Sequence, residues 1–276
     1  MDVQTLQAHA FKALHERDGA FVIPNPWDAG SAKMLASLGF EALATTSAGL
    51  AFSLGKVDGH GAVTRNETLA NVRDIVNATA LPVAADLENG FGDSPEDCAE
   101  TIRLAAAAGL VGGSIEDASG LEGEPIYPFE LALERIQAAV AAARELPFEF
   151  TLTARAENYL HGRADLADTI RRLQAFAEAG ADVLYAPGLR SREEIIAVVQ
   201  AVAPKPVNVV MGLSGVSFSV SELAAMGVKR ISVGSSLARA AYGAFFDAAR
   251  EISEHGTFAF SEKAIPFAQM NRLFQS

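Results

Sequence analysis

The chain is poor in cysteine, in positive charge and in long apolar runs, and each shortage narrows what it can be. Cys98 is the only cysteine among 276 residues. Neither an internal disulfide nor a thiolate metal cage can form from it, and a reducing, cytoplasmic setting is the expectation. Nowhere do five Lys or Arg stand in a row, and the formal net charge is −12. A surface of that sign repels nucleic acid and anionic lipid, so neither is an expected partner. No apolar run reaches the ~18 residues of a membrane helix, and the opening MDVQTLQAHAFKALHERDGAF lacks the basic start and apolar core of a secretory signal. A Pro-, Gly- or Ser-rich linker is also lacking, so residues 1–276 are expected to form a single domain with a C-terminal helical extension.

What the chain does have is rhythm. Half of its residues are hydrophobic and 8% are aromatic, with alanine the commonest apolar type, which suits many helices packed closely on a buried sheet. After an amphipathic segment near residues 3–17, apolar runs at 20–23, 42–46, 82–86, 112–116, 148–155, 182–186, 206–211 and 230–233 read as eight buried strands. Segments at 66–78, 95–108, 128–145, 164–179 and 192–203 carry apolar residues at helical spacing, with Ser, Thr or Asp near their starts. Several helical segments close on a glycine just before the next strand, at Gly39, Gly109, Gly180 and Gly227, the residue that turns left-handed most cheaply. This alternation on short links predicts an α/β fold, a (β/α)8 TIM barrel with an N-terminal helix. An open doubly wound sheet is the alternative.

In a barrel the reacting groups stand at the C-terminal strand ends, because those loops form the adaptable face. The third strand ends in ADLENGFG (85–92), so Asp86 and Glu88, two apart, are expected on the same side with Leu87 turned away. The fourth ends in SIEDA (114–118) and adds Glu116 and Asp117. Crowded acids repel, and such a cluster is tolerated when a divalent cation neutralises it or a member is protonated. Asp86, Glu88 and Glu116 are therefore candidate metal ligands, and hard oxygen donors without Cys or a His trio favour Mg2+, with Mn2+ possible. The competing reading is that these acids cap helices or bind arginines at the surface. The fifth strand, TLTAR (151–155), places Thr151, Thr153 and Arg155 on one face. A guanidinium there can grip a substrate carboxylate with both arms, or be absorbed in an internal ion pair with Glu116 or Glu157. After the second strand, TTSAGL (45–50) offers small hydroxyls and a glycine whose backbone N–H groups could face an anion, or simply a turn.

Over nearly its whole length the chain resembles the isocitrate lyase and phosphoenolpyruvate mutase superfamily, in its phosphonomutase-like branch. The likeness is carried by TTSAGLAFSLGKVDG at 45–59, VAADLENGFGDSPEDCAETIRLAAAAGLVGGSIEDA at 83–118, TARAEN at 153–158, PVNVV at 206–210 and RISVGSSLARAA at 230–241. The resemblance implies Mg2+ held directly or through water by Asp86, Glu88 and Glu116, with Asp58 nearby. It also implies a small 2-oxo or 2-hydroxy (di)carboxylic acid held by Thr45, Thr46, Ser47, Ala48 and Arg155, with Asn208 a further candidate for substrate contact. Arg155, Asp58 and Glu116 are then the implied catalytic groups of a Mg2+-dependent carbon–carbon lyase, with metal and Arg155 stabilising an enolate-like oxyanion.

The departures bear on the substrate. Glu88 stands where the superfamily usually has Asp. Asp117 is followed by ASGLEGE instead of a Lys-Cys-Gly-His loop, and Pro187 and Val210 fall where the lyases place a glutamate and an asparagine. These differences argue against isocitrate or methylisocitrate cleavage, and the loop Lys and Asn of the phosphonate enzymes are missing too. Decarboxylation of an oxaloacetate-type 2-oxo acid needs the fewest of the missing parts, because solvent can protonate the enolate. Tyr159, His161 and His60 are nearby proton donors, each also readable as a packing or surface residue. Two further readings stand: a phosphate-handling barrel, with an anion site at 211–215 and 233–236 that is otherwise an ordinary helix cap, and a non-catalytic oxo-acid binder. The eighth helix, at 235–253, carries Leu237, Ala240, Ala244, Phe245 and Ala248, and an apolar tail follows at 260–276. That is more apolar surface than one barrel can bury. The resemblance implies that this helix is swapped between subunits of a homotetramer or, failing that, a dimer.

Overall fold

The computed structural model describes residues 2–59 and 61–275, so His60 lies outside the described residues. Helix α1 (Val3–Glu16) is followed by strand β1 (Phe21–Ile23), α2 (Ala29–Ser37), β2 (Leu43–Ala44), α3 (Ser47–Ser53) and α4 (Arg65–Asn77). Next come β3 (Val83–Asp86), α5 (Pro95–Ala107), β4 (Gly112–Glu116), α6 (Phe129–Arg144) and β5 (Thr151–Arg155). After a 3-10 turn at Asn158–His161, α7 (Leu166–Glu178), β6 (Val183–Tyr185), α8 (Arg192–Val202), β7 (Val207–Val210) and α9 (Val220–Ala225) continue the alternation. It ends with β8 (Arg230–Ser232), α10 (Ser236–His255), a second 3-10 turn at Ala259–Lys263 and α11 (Phe267–Phe274).

The eight strands are parallel and hydrogen-bond in the order β1-β8-β7-β6-β5-β4-β3-β2, which makes a TIM barrel. Between its two ends, Ala44 N donates to Pro24 O at 3.1 Å. The buried Asn25 side chain reinforces that seam, donating to Thr45 O at 3.0 Å and accepting from Val233 N and Gly234 N at 2.9 and 3.0 Å. One amide thus ties β1, β2 and β8 together.

Local chemistry sets the helix ends. Thr64 with Glu67, Ser94 with Asp97 and Ser191 with Glu194 form reciprocal capping boxes at the starts of α4, α5 and α8. Gly109, at φ 99°, turns the chain from α5 into β4, and a Cβ there would lie 2.8 Å from Val76. Buried alanines let the helices close in; Ala99, Ala105 and Ala106 of α5 and Ala139, Ala142 and Ala143 of α6 belong to one core. The N-terminal helix packs on the opposite end of the barrel from the strand C-termini, with Phe11 buried against Phe21, Ile23 and Val111.

The last long helix behaves differently. Of the 20 residues of α10 only Ala238 is buried, while Phe245 and Phe246 are 70% and 59% exposed. The apolar face expected at 235–253 is therefore uncovered by this chain. Among the described residues, no helix is long and apolar enough to cross a membrane.

Candidate active site

At the C-terminal ends of the strands a narrow cavity of about 210 Å3 runs down the barrel axis. Asp58, Asp86, Arg155 and Tyr185 line it toward the mouth, and Thr153, Asn208 and Arg230 line its floor. A larger space of about 600 Å3 lies beneath α1 at the other end of the barrel. That end carries the strand starts, where barrels do not place their reacting groups.

Asp86 closes β3 and is held from several sides. Its backbone N–H donates to Thr45 Oγ1 at 3.1 Å, and its Oδ2 accepts from Ser47 Oγ at 2.9 Å. Its Oδ1 accepts from Glu88 N at 3.2 Å and from Arg155 Nη1 at 2.9 Å. The 45–50 stretch is therefore more than a turn. Thr46 caps α3 by accepting from Gly49 N, and Ser47 and Ala48 of its first turn line the cavity beside Thr45 and Thr46.

Arg155 is the hub. Nη1 meets Asp86 at 2.9 Å, Nη2 meets Glu116 at 3.1 Å and Nε meets Glu157 at 2.8 Å, with all four side chains largely out of water. The internal ion pair set against a substrate-gripping role is thus present, and with three partners. Each terminal nitrogen still keeps a second hydrogen for a ligand. Burial pushes Glu116 well above the usual carboxylate range and Glu157 up to about 7, each opposed by Arg155. Burial and the charges of Asp86 and Asp58 raise Glu88 to about 7. Three acids thus share one guanidinium with a fourth, Glu88, nearby, an excess of negative charge that a cation or protons must balance.

Other acids sit differently from expectation. Strand β3 ends at Asp86, and Glu88 has φ 48°, so the alternation of an extended chain does not carry it to the same side. Glu88 lies against the outer groove beside Thr64 and Asn89, and neither Glu88 nor Glu116 lines the axial cavity. Asp117 is 2% exposed and turns to α7, where Arg172 Nη1 reaches it at 3.0 Å, while it accepts from Glu157 N at 2.8 Å. Leu87, between the two acids, is buried against Gly113, where a Cβ would lie 2.6 Å from Leu87 Cδ1. Arg135 of α6 clamps the following loop, donating to Asn89 O and to Gly92 O.

Among the remaining candidates, Asn208 lines the cavity floor but its amide is engaged, donating to Ser232 Oγ and accepting from Arg230 Nε, each at 2.9 Å. The Tyr159 hydroxyl donates to Glu194 at 3.1 Å, and neither Tyr159 nor His161 lines the cavity. The amides of Val233 and Gly234, part of the glycine-bearing phosphate site considered above, are spent on Asn25. Tyr185, Arg230 and Ser232 were passed over. Tyr185 pairs in register with Arg155 at a strand end and could have been found by the same rule, whereas Arg230 begins its strand, where that rule does not look.

Comparisons with known proteins identify the family. The phosphoenolpyruvate phosphomutase family model matches residues 11–253. The chain belongs to the phosphoenolpyruvate phosphomutase family. A structure from Burkholderia cenocepacia J2315, described as a candidate lyase or mutase, is 61% identical, with a TM-score of 0.97 over 100% of this chain and 98% of that one. An oxaloacetate acetylhydrolase solved with its product oxalate is 28% identical, with a TM-score of 0.87 over 97% of this chain and 93% of that one. The 2-methylisocitrate lyase of Halalkalibacterium halodurans is 31% identical over 71% of this chain and 65% of its own. Phosphoenolpyruvate phosphomutase relatives thus include lyases and mutases that act on small carboxylic acids.

Whether Mg2+ fits can be judged from the donors. They are hard oxygens with a surplus of negative charge, yet among the described residues no three His, Cys, Asp or Glu side chains stand at the spacing of a metal cage. Mg2+ binds through one or two carboxylates while keeping several waters, and Asp86 on the cavity wall suits that mode. The residues fit a water-rich Mg2+ site and not an all-protein cage.

Proposed function

We propose that the protein is a Mg2+-dependent carbon–carbon lyase acting on a small 2-oxo or 2-hydroxy (di)carboxylic acid through an enolate-like intermediate. The observation that carries this reading is the hub at the strand ends, where Asp86, Glu116 and Glu157 converge on Arg155 beside the axial cavity. Asp86, with Asp58, Glu88 and Glu116 reached through water, would hold Mg2+, or Mn2+ in its place. The ion supplies Lewis acidity that favours negative charge on a 2-oxo oxygen. Arg155 keeps N–H groups for the substrate carboxylate, with Thr45, Thr46, Ser47 and Ala48 on the facing wall and Asn208 at the floor. A cavity of about 210 Å3 suits a small acid; drug-sized ligands take about 300 Å3 or more.

A second reading, decarboxylation of an oxaloacetate-type acid, is favoured by the cavity wall, which among the described residues holds no Cys, His or Lys. The oxaloacetate acetylhydrolase likeness points to the same substrate class. For assembly, we infer that α10 is exchanged with a second copy, in a homotetramer or a dimer, because its phenylalanines are uncovered.

Calorimetry with oxalate, with and without Mg2+, together with turnover of oxaloacetate, tests the proposal. Binding that needs Mg2+ and disappears in Asp86→Ala is expected. Binding indifferent to the metal in both proteins would overturn it, and binding without turnover of any oxo acid would leave a non-catalytic binder.

A further inference from the structure

Cleavage beside a carbonyl leaves an enolate, and its carbon must take up a proton before product leaves. Apart from carboxylates and guanidiniums, Tyr185 is the one side chain on the cavity wall more acidic than an aliphatic alcohol, among the described residues. It ends β6, pairs in register with Arg155 on one side and Asn208 on the other, and lies with its ring 5.1 Å from the Arg155 guanidinium carbon.

Hydrogen bonds of fixed direction lead to Ser232, which lines the same cavity. Arginine only donates, so Arg230 Nε, 2.9 Å from Asn208 Oδ1, fixes which end of that amide is oxygen. The Asn208 NH2 then donates to Ser232 Oγ at 2.9 Å. Burial raises the Tyr185 pKa, and the nearby Ser232 hydroxyl opposes that rise, as an O–H turned toward the phenol oxygen would. With the serine donating, the tyrosine's own O–H would be free to face the cavity that Tyr185 lines. Beneath, Arg230 is anchored by Thr153 Oγ1 at 2.9 Å and by His15 Nε2 at 3.5 Å.

Resting on the lyase reading above, we propose that Tyr185 is the catalytic proton donor to the enolate carbon, aimed by Arg230, Asn208 and Ser232 as positioning residues. In a decarboxylation, the electron pair of the broken carbon–carbon bond passes into the enolate as CO2 departs. The Tyr185 O–H bond breaks as the new C–H bond forms, and the phenolate recovers a proton from water at the open mouth.

The test uses the full chain with Mg2+, oxalate as a mimic of the enolate, and racemic 3-methyloxaloacetate as substrate in D2O. The wild type is expected to bind oxalate and to release 2-oxobutanoate deuterated at C3 in one configuration. Tyr185→Phe, which keeps the ring, should bind oxalate as the wild type does, lose about 100-fold or more in kcat, and give product of mixed configuration. Ser232→Ala should lower kcat at unchanged KM, with recovery in Ser232→Thr. A wild type that does not bind oxalate sinks the lyase reading itself. With oxalate binding intact, the proton-donor assignment is overturned by a wild type that never turns over this substrate. It is overturned equally by a Tyr185→Phe variant with near wild-type kcat and single configuration, or by one whose oxalate affinity falls in step with its rate.

Discussion

Replacing His15 with glutamine should flatten the acid side of the stability profile. His15 is 8% exposed, its ring meets Phe11 and Phe21 edge-on at 4.8 and 5.0 Å, and burial beside Arg230 lowers its pKa from the ordinary 6.5 to about 3. Because Arg230 can only donate, Nε2 accepts and Nδ1 carries the proton that goes to Phe11 O at 2.9 Å. The folded state therefore refuses a proton that the unfolded chain accepts. Stability from this group is complete above the unfolded pKa of 6.5 and is lost as pH falls toward about 3, at about 1.4 kcal/mol per pH unit. Between pH 7 and pH 4.5 the loss amounts to about 2.5 kcal/mol.

A glutamine can accept from Arg230 and donate to Phe11 O without titrating. The lost ring contacts should cost His15→Gln about 1–2 kcal/mol at pH 7. Urea unfolding of both proteins at several pH values reads the difference of slopes, from which other titrating groups cancel. If the two stabilities fall in parallel from pH 7 to pH 4.5, the buried neutral histidine is not the acid-sensitive element and the argument fails.

Arg155→Lys should lose ligand and stability together, since an ammonium cannot span three carboxylates; leaving Glu157, with its side chain 3% exposed, unpaired should cost about 3 kcal/mol. An unchanged urea midpoint would refute the hub. Asn25→Ala should cost about 3 kcal/mol through stranded backbone groups at the barrel seam, and a change below 1 kcal/mol in the same assay would mean that water replaces the amide. Ala244→Trp, in the groove between α10 and the turn at Ala259–Lys263, should shift the assembly to smaller species in sedimentation, and a monomeric wild type would count against helix exchange.

The acid cluster and the barrel floor are electrostatic opposites, and the contrast organises the site. At the mouth three carboxylates pair with one arginine and a fourth, Glu88, lies near, whereas at the floor Arg230, buried and drawn down to about 10, meets only neutral partners, Asn208, Thr153 and a neutral His15. An anionic ligand entering from the mouth must pass a negative rim before it meets any free positive charge. Such a rim favours anions once a cation or protons neutralise it. On the Mg2+ reading proposed above, metal dependence of ligand binding would follow from charge, independent of any step of chemistry.

Most of the fold was legible because its signals are local. Glycine before β2, β4, β6 and β8, a capping box before α4, α5 or α8, and an apolar run in between are written in neighbouring residues, and strand ends name the mouth without any tertiary information. The site was legible to the same depth. Asp86, Arg155 and the 45–48 stretch follow from position along a strand, whereas Glu88 escapes because one left-handed residue, at φ 48°, breaks the alternation on which its placement rested. Asp117 escapes because its partner, Arg172, is 55 residues away. Tyr185 needed more still: its place on β6 is readable, but the groups proposed to aim its proton, Arg230, Asn208 and Ser232, are three residues of two other strands. Direction in a hydrogen-bond chain is set by its one member that cannot accept, and an arginine at the start of a strand carries no sign, in sequence, of the groups it will orient.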